Sequence, residues 1–264
     1  MAVYSNNPFK CEIWGSNVED YSHLEKKARE LRIETLDLSL ETGDAHLGGC
    51  FSEIEILVSL YGYVMKEEDT FILSKGHCCH PLYILLRQKG YNPKISVHPD
   101  IDPANGISCT TGSLGHGLPI GTGMAFARKI KKQKGRIYVL MGDCECYEGT
   151  LWEASNIARH YKLDNLVVIV DQNKLGALGK IDDTLGFGNL SETFRVFGYY
   201  VSEVDGHSFQ ELIPALRKQG YEKPRAVICH TVKGKGVSYM EGNPEWHARR
   251  VTPERIKQAY KELK

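Results

Sequence analysis

The chain lacks the features that mark membrane-spanning, secreted and nucleic-acid-binding proteins. Among its 264 residues, no apolar run approaches the eighteen or so that a membrane helix needs. The first ten residues, MAVYSNNPFK, lack the apolar centre of a secretory signal peptide, so we expect a cytoplasmic protein. Lys plus Arg equals Asp plus Glu, at 33 each, whereas sequence-independent binding of nucleic acid needs a basic excess. We therefore expect neither a membrane nor a nucleic acid as partner.

The cysteines lack a recognisable pattern. Eight are present, but none forms a Cys-x-x-Cys pair, and a chain of this length does not need disulfides to stabilise its core. The run His77-Cys78-Cys79-His80 contains the residue types that bind zinc, yet adjacent side chains do not readily converge on one tetrahedral ion. Reduced thiols are the expected state.

What the sequence does contain is an ordinary globular composition, 42% hydrophobic and 25% charged, and an informative central segment at residues 136–178. Two short apolar runs, at residues 137–141 and 166–170, flank a stretch of helical periodicity at 147–161. This order is typical of a right-handed βαβ unit in a parallel sheet. Because neither run alternates polar with apolar residues, we expect both strands to be covered on both faces.

The rest of the chain continues this pattern. A long first helix is predicted at residues 20–41, and the spacing of Ser52 with Glu55 and of Ser208 with Glu211 predicts capping boxes that begin two others. We predict one α/β domain over residues 1–264, a parallel sheet flanked by helices, with a helical N-terminal layer and an irregular arm at residues 1–18. Further strands are predicted at residues 69–73, 199–204 and 225–231, and further helices at residues 52–64, 81–89, 118–132, 191–197, 208–219 and 253–263.

Two polar residues follow the predicted central strands. Asp143 comes just after the first strand and Asn173 just after the second, and parallel sheets bind ligands beyond the carboxyl ends of their strands. One carboxylate and one amide oxygen suit Mg²⁺ or Ca²⁺, completed by a backbone carbonyl, water and the phosphates of a ligand. On spacing alone an equally good interpretation is that Asp143 caps the next helix and Asn173 makes a turn.

Several separated motifs resemble those of one enzyme family. One motif consists of Gly142-Asp143 followed about thirty residues later by Asn173. It resembles the metal and diphosphate motif of thiamine-diphosphate enzymes. Segments before, within and after this motif resemble transketolase in particular, in the family's order, and the resemblance covers residues from about 25 to 250. They are Gly-Asp-Ala-His46, Ser74-Lys-Gly-His77, His98-Pro-Asp, Thr110-Thr-Gly-Ser-Leu-Gly-His-Gly117, Glu148-Gly149, Glu153-Ala154 and Asp171-Gln-Asn-Lys174.

The resemblance implies a site for thiamine diphosphate and Mg²⁺ (or Ca²⁺). The metal ligands it implies are Asp143, Asn173 and the backbone carbonyl of Leu175, and the metal would hold the diphosphate. Loop histidines would face the hydroxyls and carbonyl of a sugar or sugar phosphate. The implied catalytic residues are His46, His98 and His247, and the implied cofactor-binding residues are His77, Gly112, Leu114, Gly142, Asp143, Cys144, Glu148 and Asn173.

The chain departs from the family pattern at three positions. Cys144 stands where the family has Gly, and a side chain there is tolerated only if the backbone φ is negative, since a positive φ would cost about 1–3 kcal/mol. Ser113 replaces the usual Pro, and His116 stands where Gln is common. We expect the last two substitutions to alter the substrate pocket.

The resemblance also implies a partner. Transketolases have a second domain that binds the aminopyrimidine ring and supplies the Glu that activates the cofactor, and this chain ends at Lys264, about where that domain would begin. We therefore expect the N-terminal subunit of a split transketolase, paired with a C-terminal subunit that carries the pyrimidine-binding and C-terminal domains, in an α₂β₂ heterotetramer. The expected reaction is transfer of a two-carbon ketol unit from a ketose to an aldose, with the chemistry belonging to the cofactor.

Two other interpretations remain open. The chain resembles, less closely, the α subunit of another thiamine-diphosphate enzyme such as a 2-oxo acid dehydrogenase, which shares the metal motif but not the Thr-Thr-Gly-x-Leu-Gly segment or these histidines. The second alternative is a non-catalytic scaffold subunit that kept the fold, and the departure at Cys144 is the feature that favours it.

Overall fold

The computed structural model describes residues 20–264 except residues 45, 187 and 220. The arm predicted at residues 1–18 lies outside the described residues. Within them the protein contains a five-stranded sheet, in the spatial order β1-β2-β3-β5-β4, in which every pair of neighbours is parallel. The strands are β1 (Thr70–Leu73), β2 (Ile137–Gly142), β3 (Leu166–Gln172), β4 (Tyr200–Asp205) and β5 (Arg225–His230).

Ten α-helices are described around this sheet. They are α1 (Ser22–Thr42), α2 (Leu47–Ser52), α3 (Ile54–Ser59), α4 (His80–Gln88), α5 (Gly117–Ile130), α6 (Gly149–His160), α7 (Ile181–Leu185), α8 (Leu190–Val196), α9 (Phe209–Arg217) and α10 (Pro253–Leu263).

The central strands are buried on both faces, as their unbroken apolar runs predict. Leu140 and Ile169 pack into the core formed with α1, α3, α4 and α9, whereas Val139 and Val168 pack into the core formed with α5, α6 and α8. This alternation follows from the two-residue repeat of a strand, which sends successive side chains to opposite faces.

A third apolar cluster lies to one side of the sheet. It joins Leu36 of α1, Phe51 of α2 and Leu263 of α10 with Met240 and Trp246 from the segment after β5. All five are less than a tenth exposed. The cluster fixes the segment after β5, which ends near His247, against α2, which follows His46 directly. Two distant parts of the sequence are thereby placed at one site.

Both predicted capping boxes are wrong. Ser52 does not begin a helix but ends α2, and its buried hydroxyl donates to the carboxylate of Asp171 at 2.5 Å. The single helix predicted at residues 52–64 is instead α2, α3 and a π-helical turn at Leu60–Val64. Ser208 does precede α9, but its side chain makes no cap hydrogen bond, and Glu211 accepts from the amide of Asp205. Ser52 thus binds a residue 119 positions away, whereas Glu211 binds an amide six positions before it.

Candidate functional site

Asp143 stands at the carboxyl end of β2, beside the end of β3. Its two carboxylate oxygens accept the backbone amides of Cys144 at 2.9 Å and Lys174 at 2.6 Å, so the side chain bridges the two strand ends. The residue is 5% exposed. Burial, and then the nearby carboxylate of Asp171, raises the pKa of Asp143 to about 7. A buried carboxylate in this setting is a favourable position for a cation.

Asn173 and Leu175 supply two more oxygen atoms to the same strand end. The Asn173 side-chain oxygen accepts the Leu175 amide at 3.1 Å, while the Leu175 carbonyl accepts from the ammonium of Lys233 at 2.8 Å. The ammonium of Lys233 therefore already contacts one of the oxygens that are predicted to bind the metal. Carboxylate, amide and carbonyl oxygens form the hard donor set that Mg²⁺ and Ca²⁺ prefer, so the residues present fit such a metal.

Cys144 has no strained backbone. It lies in a 3₁₀ helix at Asp143–Tyr147, and it is not among the four non-glycine residues that have a positive φ in the described chain, which are Lys132, Lys162, Lys174 and Glu222. Its thiol is half-buried, and burial followed by the charge of Asp143 raises its pKa to about 11. The strain that a positive φ would cause is therefore absent, and the side chain is a neutral thiol beside the predicted diphosphate site.

Glu145 is a buried residue beside the candidate site that sequence reasoning missed. Its carboxylate accepts the Ser74 hydroxyl at 2.5 Å, the Gly115 amide at 2.8 Å and the Gly142 amide at 2.9 Å. It is 1% exposed. One buried side chain therefore joins the end of β1, the loop before α5 and the end of β2. The only sequence signal was an acidic residue three positions after Gly142, which is too common to single out.

Three of the predicted histidines converge. The ring centroids of His46 and His77 are 5.3 Å apart, those of His46 and His247 are 5.8 Å apart, and those of His77 and His247 are 5.6 Å apart. We name these three rings the histidine cluster. His98 is more exposed, and burial followed by the charges of His77 and His46 lowers its pKa. The four loops that carry these histidines thus meet at one place.

Lys233 connects the histidine cluster to the predicted metal ligands. Besides the Leu175 carbonyl, its Nζ atom lies 2.9 Å from Nδ1 of His247. Because an ammonium only donates, Nδ1 of His247 accepts and the proton of the neutral ring is on Nε2. Burial and then the charge of Lys233 lower the pKa of His247 to about 4. Lys233 was visible in the sequence only as part of a Gly-rich loop.

The loop before α5 holds the remaining predicted residues. Gly112 has φ +139°, and a Cβ atom there would lie 2.9 Å from the His98 ring, so only glycine fits. Leu114 is 37% exposed. The stem of Glu148 packs against Gly115, where an added Cβ would lie 2.3 Å from the Cβ of Glu148. This loop therefore contacts the His98 ring at Gly112 and has an exposed apolar side chain at Leu114.

A buried charged network that the sequence did not reveal lies behind the histidine cluster. The Lys75 ammonium contacts the Gly49 carbonyl at 2.9 Å, Glu53 at 3.0 Å and the Asp171 carboxylate. Burial opposes the charge on Lys75, but Asp171 and the other anionic neighbours raise its pKa above the usual value. The network ties α2 to β3 and so holds the His46 loop over the strand ends.

Comparison with known proteins decides the family. Residues 25–264 match the transketolase, thiamine diphosphate binding domain. The chain belongs to the transketolase family. It is 36% identical to one of the subunits of the apulose-4-phosphate transketolase of Phocaeicola vulgatus, over 91% of this chain and 93% of that one. It is 34% identical to a 6-deoxy-6-sulfo-D-fructose transketolase subunit of a Clostridium species, over 93% of this chain and 98% of that one.

Other transketolases are longer. The chain is 34% identical to human transketolase, with 91% of this chain matching 42% of that protein. The solved transketolase of Campylobacter jejuni superposes with a TM-score of 0.82 at 27% identity, covering 93% of this chain and 43% of that chain. The predicted N-terminal subunit of a split transketolase, a transferase with a parallel α/β fold, is therefore confirmed. Within the described residues, no helix is both long and apolar enough to cross a membrane.

Proposed function

We propose that this chain is the diphosphate-binding subunit of a transketolase that uses thiamine diphosphate and Mg²⁺ (or Ca²⁺) and works with a separate C-terminal subunit. The observation that carries the proposal is Lys233, which contacts both the Leu175 carbonyl and His247. It joins an oxygen-rich strand end, suited to a metal and phosphates, to a cluster of histidines, suited to a sugar. Transfer of a ketol unit requires both a region that holds the cofactor and a region that holds the sugar.

Asp143, Asn173 and the carbonyl of Leu175 would hold the metal. The unstrained backbone at Cys144 removes the feature that favoured a non-catalytic scaffold, since the position accepts a side chain without cost. His77 and the backbone of residues 142–144 would border the diphosphate. The residues that would border the rings are Gly112, Leu114 and Glu148. When bound, thiamine diphosphate supplies the nucleophilic carbon for two-carbon transfer.

The histidines of this chain would orient the sugar and handle its protons. His247 has its proton on Nε2 and is neutral above a pH of about 4, so it can donate to a substrate oxygen across the neutral range. His46 and His98 would complete the set of polar contacts to the hydroxyls and carbonyl. The carboxylate that activates the cofactor would come from the partner, and we propose an α₂β₂ assembly.

The substrates proposed are ketoses and aldoses with an anionic group at the end remote from the reacting carbon. The support comes from the relatives named for apulose 4-phosphate and 6-deoxy-6-sulfo-D-fructose, one a phosphate ester and one a sulfonate. Ser113 and His116 are exposed on the loop before α5, and their proposed effect on the substrate pocket follows from that position.

The organisation and location of the chain are also proposals. We propose that it forms one domain, since a single sheet joins the strands of the described residues. We propose a cytoplasmic location, since the seven cysteines within the described residues are free thiols, as a reducing compartment would keep them.

Calorimetry tests the proposal. Thiamine diphosphate with Mg²⁺ is titrated into the chain with and without the C-terminal subunit, and into Asp143→Asn. We expect binding that appears or tightens at least tenfold with the partner and is lost in Asp143→Asn, because the amide removes the charge that holds the metal. Asp164→Asn is the matched control, since this carboxylate is exposed, pairs with Lys129 at 3.2 Å and follows α6 at the opposite ends of the strands.

A ketose screen of the loaded complex follows. Two-carbon transfer from a phosphorylated or sulfonated ketose is the expected result. Absence of cofactor binding with the partner present would overturn the proposal in favour of a scaffold, and activity on pyruvate alone would overturn it in favour of another thiamine-diphosphate enzyme.

A further inference from the structure

The carboxylate of Asp44 lies between two histidines that the sequence motifs did not connect. Its Oδ1 atom is 2.7 Å from Nδ1 of His46, and its Oδ2 atom is 3.3 Å from Nδ1 of His80. The Asp44 side chain is 6% exposed and that of His80 is 2% exposed. His46 belongs to the histidine cluster, whereas Asp44 and His80 lie behind it. The arrangement is a chain of groups leading from the site into the protein.

The contact with Asp44 determines which nitrogen of His46 carries the proton. An ionised carboxylate only accepts hydrogen bonds, so Nδ1 of His46 must donate to it. In the neutral ring this leaves Nε2 without a proton, as an acceptor. Nε2 is then the nitrogen left to serve the histidine cluster, whose other two members are His77 and His247. His46 is therefore prepared to accept a proton or hydrogen bond, whereas His247 is prepared to donate one.

His80 lies on the other side of Asp44. It is the first residue of α4, and its Nε2 lies 3.1 Å from the Thr42 hydroxyl. Because that hydroxyl donates its one hydrogen to the Leu38 carbonyl at 2.8 Å, Nε2 of His80 is the donor, and in the neutral ring Nδ1 carries no proton. Burial lowers the pKa of His80, and the charge of Asp44 opposes that effect only in part. Nδ1 of His80, 3.3 Å from Oδ2 of Asp44, can therefore donate to the carboxylate only when the ring is protonated.

We propose that Asp44 is a positioning residue for His46, fixing its Nδ1–H tautomer. The proposal rests on the proposed function in one respect, which is that His46 meets the substrate. The general principle is that a catalytic base needs a third group to orient it. The backbone carbonyl of Asp44 separately accepts the Ser39 hydroxyl, a contact that does not depend on the carboxylate.

The tautomer of His46 is the direct test. The chain is labelled with ¹⁵N-histidine, and the imidazole nitrogen shifts are recorded without cofactor, in wild type and in Asp44→Ala. We expect Nδ1 of His46 to change from a protonated to an unprotonated shift, because neutral imidazole without a partner prefers the Nε2–H form. Asp44→Asn, which keeps one acceptor oxygen, is expected to retain part of the Nδ1–H form. Asp164→Ala is the control and leaves the spectrum unchanged.

Activity of the complex with the C-terminal subunit is the second readout. Asp44→Ala is expected to lower kcat about 10- to 100-fold, by analogy with partners that orient metal-binding histidines, with KM changed less than about threefold. Near-ultraviolet circular dichroism shows whether each variant is folded. If Asp44→Ala does not fold, the His46 tautomer and the activity are measured in Asp44→Asn instead.

Two outcomes decide the matter. An unchanged His46 tautomer in folded Asp44→Ala would overturn the proposal, whatever the activity. A changed tautomer with no transketolase activity in the wild-type complex would uphold the positioning of His46 and instead contradict the proposed function.

Discussion

The ammonium of Lys233 lies 2.9 Å from Nδ1 of His247. The contact assigns the proton of this histidine to Nε2, and it places a positive charge where it disfavours a second proton. Burial is the larger cause of the low pKa of His247 and Lys233 the next. The electrostatic state of the ring is therefore determined in part by a residue from another loop.

Lys233→Met should raise the pKa of His247 from about 4 towards the ordinary value of 6.5, without reaching it, because burial remains. Titration of the imidazole carbon-bound protons by NMR measures the change. Lys235→Met is the matched control, since Lys235 is partly exposed and pairs with Glu241 at 3.7 Å. A His247 pKa that is the same in both variants would show that Lys233 has no electrostatic effect on the ring.

Glu145→Gln should destabilise the protein. The amide group of Gln presents hydrogens to at least one of the three donors that Glu145 now accepts, so a buried donor loses its partner at a cost of about 1–3 kcal/mol. Urea unfolding monitored by circular dichroism gives the free energy. Glu148→Gln, at an exposed carboxylate, should stay within about 0.5 kcal/mol of wild type. Equal losses in the two variants would contradict the role given to the Glu145 network.

Cys144→Gly restores the residue that the family pattern has. Because the backbone at Cys144 already has a conformation open to any residue, we expect the affinity of the complex for thiamine diphosphate to change less than threefold. The free energy of unfolding should fall by about 0.5–1 kcal/mol, since glycine has more conformational freedom to lose. Calorimetry and urea unfolding measure the two quantities. A gain in affinity of tenfold or more would mean that the thiol obstructs the site.

His80 should make the protein sensitive to acid. Burial lowers the pKa of His80 in the folded state, whereas the unfolded chain titrates near 6.5, so the unfolded state binds the proton more tightly. Neutral His80 therefore contributes to the free energy of unfolding above pH 6.5, and this contribution is lost as the pH falls below 6.5. The charges of Asp44 and Cys78 oppose the lowering of the His80 pKa, whereas the charge of His46 adds to it. Unfolding by urea at pH 7 and pH 5 should show a smaller loss of stability in His80→Gln than in wild type.

The control for this prediction is His160→Gln, an exposed histidine at the end of α6. That variant should keep the pH dependence of the wild type. A wild-type difference between the two pH values that survives intact in His80→Gln would assign the acid sensitivity to other groups.

The sequence by itself determined the central architecture, and it predicted the edge of the sheet at which the proposed site lies. Unbroken apolar runs around a helical stretch are enough to predict parallel strands covered on both faces, because strand periodicity and burial act over a few neighbouring residues. Asp143 and Asn173 were identifiable because polar residues that follow such strands stand at the ligand-binding edge of the sheet. The histidines were identifiable only through motifs shared with a family.

The tertiary structure alone decided which groups act on one another. Lys75 meets Asp171 across 96 positions and Glu145 meets Ser74 across 71, and no local pattern carries that information. The same is true of Ser52, whose capping-box spacing predicts a helix start while its hydroxyl binds Asp171. A buried polar group takes the partner that the packed core brings to it, because leaving it unpaired costs more than breaking a local motif.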